Sequence, residues 1–284
     1  MFEVKKEITG KRDMALMKLH RERGFYYSDL SFISCGYNLG QPKIIEVYIR
    51  KQDWELALNT PYIRSLISFS KRHLLPLLLV GYDLIFKAFN IYLVRFNKPD
   101  LIKNNITEKS LVNGLYRLKD SKWKDEDDKK AFLNFINTNQ QNIDQPEKFP
   151  HEFMSRRHRR YGYNCPFNDL DFILLDELES IKAFIEYKSS NYEISYYVLK
   201  MYRLLGDIFQ VPMFKVIHKT DLDDVVYSIY PLNSIAENII SENKYIINNA
   251  QRYFEREQAT TLSFKNDHYF QFLDKIKSAK TLLP

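Results

Sequence analysis

Apolar residues along the chain switch between a spacing of two and a spacing of three to four, and the order of these patterns occurs twice. In the first half, 11–24 (KRDMALMKLHRERG) has helical spacing and is followed by strand patterns at 28–35 and 42–49. A helix is predicted over 61–74, then strands over 75–82 and 88–94. In the second half, 152–162 (EFMSRRHRRYG) is predicted helical and is followed by strands over 168–175 and 182–188. A helix from about Glu193 to Phe209 sets Ile194, Tyr197, Val198, Met201, Leu205 and Ile208 on one face. Strands over 211–218 and 225–232 complete the series. Each half is then expected to end in helical material, at 107–139 and at 234–279.

The repetition extends to individual residues. Ser28-Asp29-Leu30-Ser31-Phe32-Ile33 lines up with Asn168-Asp169-Leu170-Asp171-Phe172-Ile173 at an offset of 140, and Ile45-Glu46 lines up with Ile185-Glu186 at the same offset. Leu75-Pro76 matches Val211-Pro212 at an offset of 136. Shared order with shared spacing reads as an internal duplication of an α/β unit. The 284 residues divide into 1–142 and 143–284, each long enough to bury its own core. The polar stretch 120–150, rich in turn formers, marks the connection between them.

Composition narrows the class. With 45% hydrophobic and 27% charged residues, the chain is neither a disordered tail nor a coiled coil. No apolar run reaches the roughly 18 residues of a membrane span, and the opening MFEVKKEITGK lacks the apolar segment of a signal peptide. Two cysteines, Cys35 and Cys165, exclude a disulfide scaffold and a cysteine-rich zinc module. The expectation is a soluble, cytoplasmic protein. No GxxxxGK[ST] or GxGxxG loop occurs, so ATP-driven work is not expected of this chain.

Charge separates the halves. Residues 1–142 carry 24 Lys and Arg against 16 Asp and Glu, whereas 143–284 carry 18 against 20. A basic half suits a polyanion, although a basic surface also serves solubility. In the second half, strand periodicity puts Asp169 and Asp171 on one face of 168–175, and Glu186 and Lys188 on one face of 182–188. A turn at Glu177–Ser180 would make the two strands an antiparallel hairpin, setting Asp171, Glu186 and Lys188 side by side. Carboxylates so placed repel unless a cation lies between them, and oxygen ligands suit Mg²⁺. A neighbouring lysine can orient an attacking water and offset charge at a phosphate.

Asp171, fourteen residues, then Glu186-Tyr187-Lys188 resembles the D…ExK signature of the PD-(D/E)xK, or restriction-endonuclease-like, superfamily. That core runs helix–strand–strand–strand–helix–strand, with the aspartate on the second strand and ExK on the third. The resemblance covers roughly 150–232 and implies a Mg²⁺- or Mn²⁺-dependent DNA endonuclease. In it Asp171 and Glu186 are metal ligands, Lys188 is the catalytic lysine, Asp169 is an alternative ligand and Glu152 is the acid of the first helix. The PD proline is absent, since Pro166 lies too far upstream.

At an offset of 140 the first copy has Ser31 for Asp171 and Tyr48 for Lys188, while Glu46 and Asp29 persist. It therefore reads as a degenerate, non-catalytic copy that holds nucleic acid. Arg156, Arg157, Arg159 and Arg160 are candidates for phosphate contacts beside the site. His158 and His218 are weaker candidates as general bases. With one site per chain, cutting both strands would need a homodimer or a larger nucleoprotein assembly. Two other functions fit the same residues: a non-catalytic nucleic-acid-binding scaffold, and a phosphoesterase acting on small nucleotides.

Overall fold

The structure, a computed structural model, describes residues 20, 23, 25, 31–38, 41–83, 88–107, 110–111, 167–170, 172–189, 196–221, 224–243, 251–253 and 261–279. It is α/β, with two six-stranded mixed sheets. One compact unit comprises Ser28–Leu170 and Ser195–Met201, and the other comprises Met1–Tyr27, Asp171–Ile194 and Tyr202–Pro284. This division differs from the 142-residue halves, because each unit takes a segment from both.

The first sheet contains β1 (Ser31–Asn38), β2 (Gln41–Arg50), β3 (Leu77–Asp83), β4 (Ala88–Arg95), β5 (Lys98–Thr107) and β6 (Phe167–Leu170), in the order β5-β4-β3-β2-β1-β6. β2 and β3 run parallel, which requires a crossover. Helices α1 (Trp54–Leu58) and α2 (Pro61–Arg72) supply it. Thr60 begins α2 by accepting the Ile63 N–H on its hydroxyl at 3.4 Å, and Pro61 fits the first turn, where no N–H partner is needed. The helix buries Tyr62, Ile63, Leu66 and Phe69 at spacings of three to four.

The second sheet repeats this plan. It contains β7 (Phe172–Leu175), β8 (Ile181–Ser189), β9 (Met213–Asp221), β10 (Asp224–Pro231), β11 (Gln251–Tyr253) and β12 (Thr261–Lys265), in the order β11-β12-β10-β9-β8-β7. β7 and β8 are antiparallel, β8 and β9 run parallel across the helix α3 (Tyr196–Phe209), and β10 returns antiparallel. Helices α4 (Ser234–Asn243) and α5 (Asn266–Ser278) pack Ala236, Ile240, Tyr269, Phe272 and Leu273 on the sheet face that carries Phe172, Ile185, Phe214 and Tyr227. Each such side chain contributes about 1.5–3 kcal/mol on burial.

The Leu75-Pro76 and Val211-Pro212 match has a structural cause. Both crossover helices end in the same cap: the Leu75 N–H donates to Ser70 O at 2.8 Å and the Leu74 N–H to Lys71 O, while the Val211 N–H donates to Gly206 O at 3.0 Å and the Gln210 N–H to Asp207 O. This is the Schellman pattern, in which the residue after the helix adopts a left-handed conformation. Leu74 and Gln210 occupy that position with φ of 54° and 53°. The proline that follows then accepts from the neighbouring parallel strand, β2 or β8: Ile45 N–H to Pro76 O, and Phe184 N–H to Pro212 O, both at 3.0 Å. Leu74 is 90% exposed, so its side chain adds little packing while its backbone stays strained. Leu74→Gly is expected to stabilise the chain by about 0.5–1 kcal/mol, measured by chemical denaturation.

Several expectations need correction. The strand predicted over 168–175 is two strands: β6 pairs with β1, and β7 pairs with β8. The alternation runs through the break because both pieces are extended, and a periodicity does not record a change of partner. The region 234–279 holds β11 and β12 between its helices. β5 runs to Thr107; it is exposed along nearly its whole length and so has no apolar alternation to announce it. Among the described side chains of α3, Tyr202, Leu205 and Phe209 are buried and Ile208 is half-buried, while Ile194, Tyr197, Val198 and Met201 of the predicted face lie outside them. The predicted helix 152–162, all of 11–24 except residues 20 and 23, and nearly all of 107–139 lie outside the described residues.

Candidate active site on the second sheet

β8 reads Ile-Lys-Ala-Phe-Ile-Glu-Tyr-Lys-Ser, and its alternation sends Ala183 and Ile185 toward α4 and α5 and sends Glu186 to the face of α3. Glu186 is 5% exposed. A carboxylate at that depth needs compensation. The Tyr202 hydroxyl, aimed by the buried stripe of α3, donates a short hydrogen bond to its Oε2. Directly across the parallel ladder stands Lys215 of β9, whose ammonium lies 5.1 Å from the Tyr230 ring centre. Glu186 and Tyr202 thus form a hydrogen-bonded pair on this face, with Lys215 at the neighbouring ladder position. Sequence reasoning missed the last two. Lys215 was visible as the single charge inside the apolar run VPMFKVI, and Tyr202 as an aromatic beside the predicted stripe.

The opposite face carries a second polar group. His20, fully buried, shares a 2.8 Å hydrogen bond between its Nε2 and the Tyr187 hydroxyl, which is itself hydrogen-bonded to the Tyr269 hydroxyl. Tyr227 stacks on Tyr269 at 4.0 Å between ring centres. Burial raises the pKa of the Tyr269 phenol well above its ordinary value, opposed by the Tyr187 bond, and burial likewise raises that of Tyr227 against the pull of Arg23. The phenols therefore stay protonated. His20, which the sequence left inside a predicted helix with no role, fastens the N-terminal segment to this core. His218 is also buried, its ring 6.5 Å from that of Tyr187.

The remaining sequence-derived candidates are distributed as follows. Lys188 stands two positions beyond Glu186 in β8, opposite Ile217. Asp169 lies in β6 of the first sheet, opposite Ser34, and so belongs to a different sheet from Glu186. β7 opens at Phe172, which faces Ile185, the residue before Glu186. Asp171, Glu152, Arg156, Arg157, Arg159 and Arg160 lie outside the described residues. Among the described residues, no group of three or more His, Cys, Asp or Glu is placed to hold a metal ion, and no helix is long and apolar enough to cross a membrane.

The correspondence between copies also shifts. The two proline hydrogen bonds and the parallel registers equate Ile45, opposite Leu77, with Phe184, opposite Met213. Val47 is then the counterpart of Glu186, and Ile49 of Lys188. In the hairpins, Cys35 faces Ile45 and Ile173 faces Phe184, so Ile33 is the counterpart of Asp171 by count. The offset of 140 is thus one residue too long in β8 and two too long in β7, and in a strand one residue exchanges the faces. Glu46 confirms this. It lies on the face of Ile44, Tyr48 and Leu78, accepting the Tyr48 hydroxyl at 3.0 Å, whereas Trp54 of α1 packs on the other face against Gly81 and Tyr92. Glu46 is therefore not the counterpart of Glu186. Aliphatic residues occupy all three corresponding positions.

Comparison with family models, curated proteins and solved structures found no match to this chain.

Proposed function

We propose that the chain is a metal-dependent nuclease that hydrolyses phosphodiester bonds in DNA, built from two related α/β domains of which the second is catalytic. The observation that carries this reading is Glu186: a buried carboxylate on the second strand of the strand–strand–helix–strand order β7-β8-α3-β9, on the crossover-helix face, with Lys188 two residues on. Residues with oxygen donors fit a hard divalent cation. Asp171 and Glu186 would hold Mg²⁺ or Mn²⁺, and the ion would supply Lewis-acid polarisation of the phosphate and acidification of a bound water. The Tyr202 hydroxyl, donating to Oε2, orients the Glu186 carboxylate. Lys188 orients the attacking water, and Glu152 and the arginines 156, 157, 159 and 160 would stand beside the phosphates.

The first domain supports the same reading from the opposite side. Val47 and Ile49 stand where the second domain has Glu186 and Lys188, as expected of a copy that has lost catalysis. Its excess of Lys and Arg suits the backbone of a polyanion. One site per chain cuts one strand, so double-strand cleavage would use a homodimer or repeated events.

Supercoiled plasmid incubated with Mg²⁺ or Mn²⁺ tests the proposal. Wild type should nick it, while Asp171→Ala and Lys188→Ala should each lower the rate on the order of a hundredfold or more. Plasmid left intact by wild type under every ion, or cut equally by the variants, removes the enzyme and leaves a nucleic-acid-binding scaffold. Activity confined to mononucleotides would instead indicate a small-substrate phosphoesterase.

A further inference from the structure

We propose that the β4–β5 hairpin is a DNA-probing finger in which Phe96 stacks on an exposed base while Arg95 and Lys98 hold the neighbouring phosphates. The inference rests on the reading of the chain as a protein that acts on DNA, and it adds a contact in the non-catalytic domain. The two strands are joined by Phe96 and Asn97, with φ of 48° and 68°. A two-residue turn with both φ values positive is the type I′ geometry that favours Asn or Gly at each position. A phenylalanine there is strained, and its ring is 94% exposed, so no packing offsets the strain. Backbone strain of this kind is concentrated where a side chain must be presented.

The cations beside it give the partner's sign. Arg95 and Lys98 are directly opposed in the ladder, so their side chains leave the same face with Cβ atoms roughly 5 Å apart. Like charges so opposed destabilise a hairpin. Among the described residues neither forms an ion pair, and Asp100, two positions beyond Lys98, bridges to neither. Lys103 continues the exposed positive edge along β5. An exposed aromatic ring between paired cations matches a nucleobase flanked by phosphates, where stacking and counterion release act together.

The test is binding of the full-length protein to fluorescein-labelled single-stranded and duplex DNA without divalent ions, followed by anisotropy over a range of salt. Phe96→Asn should weaken binding roughly tenfold or more without changing the salt slope, because stacking is uncharged. The same variant should melt at a higher temperature, since Asn tolerates the left-handed turn. This opposite pair of effects separates contact from folding. Phe96→Trp should restore affinity, and the double variant Arg95→Gln/Lys98→Gln should reduce the salt slope by about two. If wild type binds DNA and Phe96→Asn binds equally well, the finger is refuted and the nuclease reading stands. If wild type binds neither form of DNA, both fall. If Phe96→Asn loses binding to vesicles of phosphatidylcholine and phosphatidylserine but keeps DNA affinity, the finger faces a membrane and the proposal is overturned.

Discussion

Glu186→Gln is expected to lower Mg²⁺-dependent plasmid nicking on the order of a thousandfold, about 4 kcal/mol of lost transition-state stabilisation, while leaving the protein as stable as wild type or slightly more so. The two effects have separate causes. Glutamine keeps the shape of the side chain and an oxygen that can accept the Tyr202 hydroxyl, so the hydrogen bond to α3 survives. What disappears is the negative charge, which costs free energy to bury in a sheet core and which a divalent cation requires. Steady-state nicking rates measured beside urea denaturation read both signs. A variant that loses stability and activity together would assign Glu186 to the fold alone. Tyr202→Phe makes a useful companion: it removes the donor that orients the carboxylate and should reduce activity by about tenfold.

The largest effect on the fold is expected from Gly206→Ala. Gly206 sits in the last turn of α3, where a Cβ would collide with Asn233 Nδ2 and Met213 Cγ and would lie 2.9 Å from Val211 O. None of these can simply withdraw. Asn233 is the cap of α4: its Oδ1 accepts the Ala236 N–H and the Met213 N–H, both at 3.1 Å, and its Nδ2 donates to Val211 O at 3.0 Å. That one amide joins the end of α3, the start of β9 and the start of α4. Relieving the collision would open this clamp and leave buried polar groups without partners. The expected cost is about 3–5 kcal/mol, seen as a fall in Tm of roughly ten degrees or more.

The order of elements was legible because it depends on local periodicity. PYIRSLISFSKR and YYVLKMYRLLGDIF carry helical spacing, and IKAFIEYKS and LLLVGYD carry the residues of strands. Sheet assignment was not legible. The sequence from 167 to 175 is uniformly strand-like, yet Leu170 ends a strand of one sheet and Phe172 begins a strand of the other, since hydrogen-bond partners lie far away in sequence. The order of elements recurs in the two sheets, while the residue match at an offset of 140 fails in the hairpin, by one residue in β8 and two in β7. Identity of Ile-Glu at 45 and 185 favoured one alignment, while the proline carbonyls that fix the ladder favoured another. At the candidate site, Glu186 was readable from its strand. Tyr202 reaches it from a helix and Lys215 stands beside it on a strand, both later in the chain, and no spacing rule connects them.

The exchange of segments between the units has a consequence for how the chain can be divided. It passes from one unit to the other after residues 27, 170, 194 and 201. A gene cut at the midpoint would therefore yield two products that are each incomplete. The later one would lack His20, whose ring lies among Tyr187, Phe172 and Phe270, and would carry β6 without β1, its ladder neighbour. Each unit is thus completed by a segment from the other half of the chain, so neither half carries a whole unit by itself.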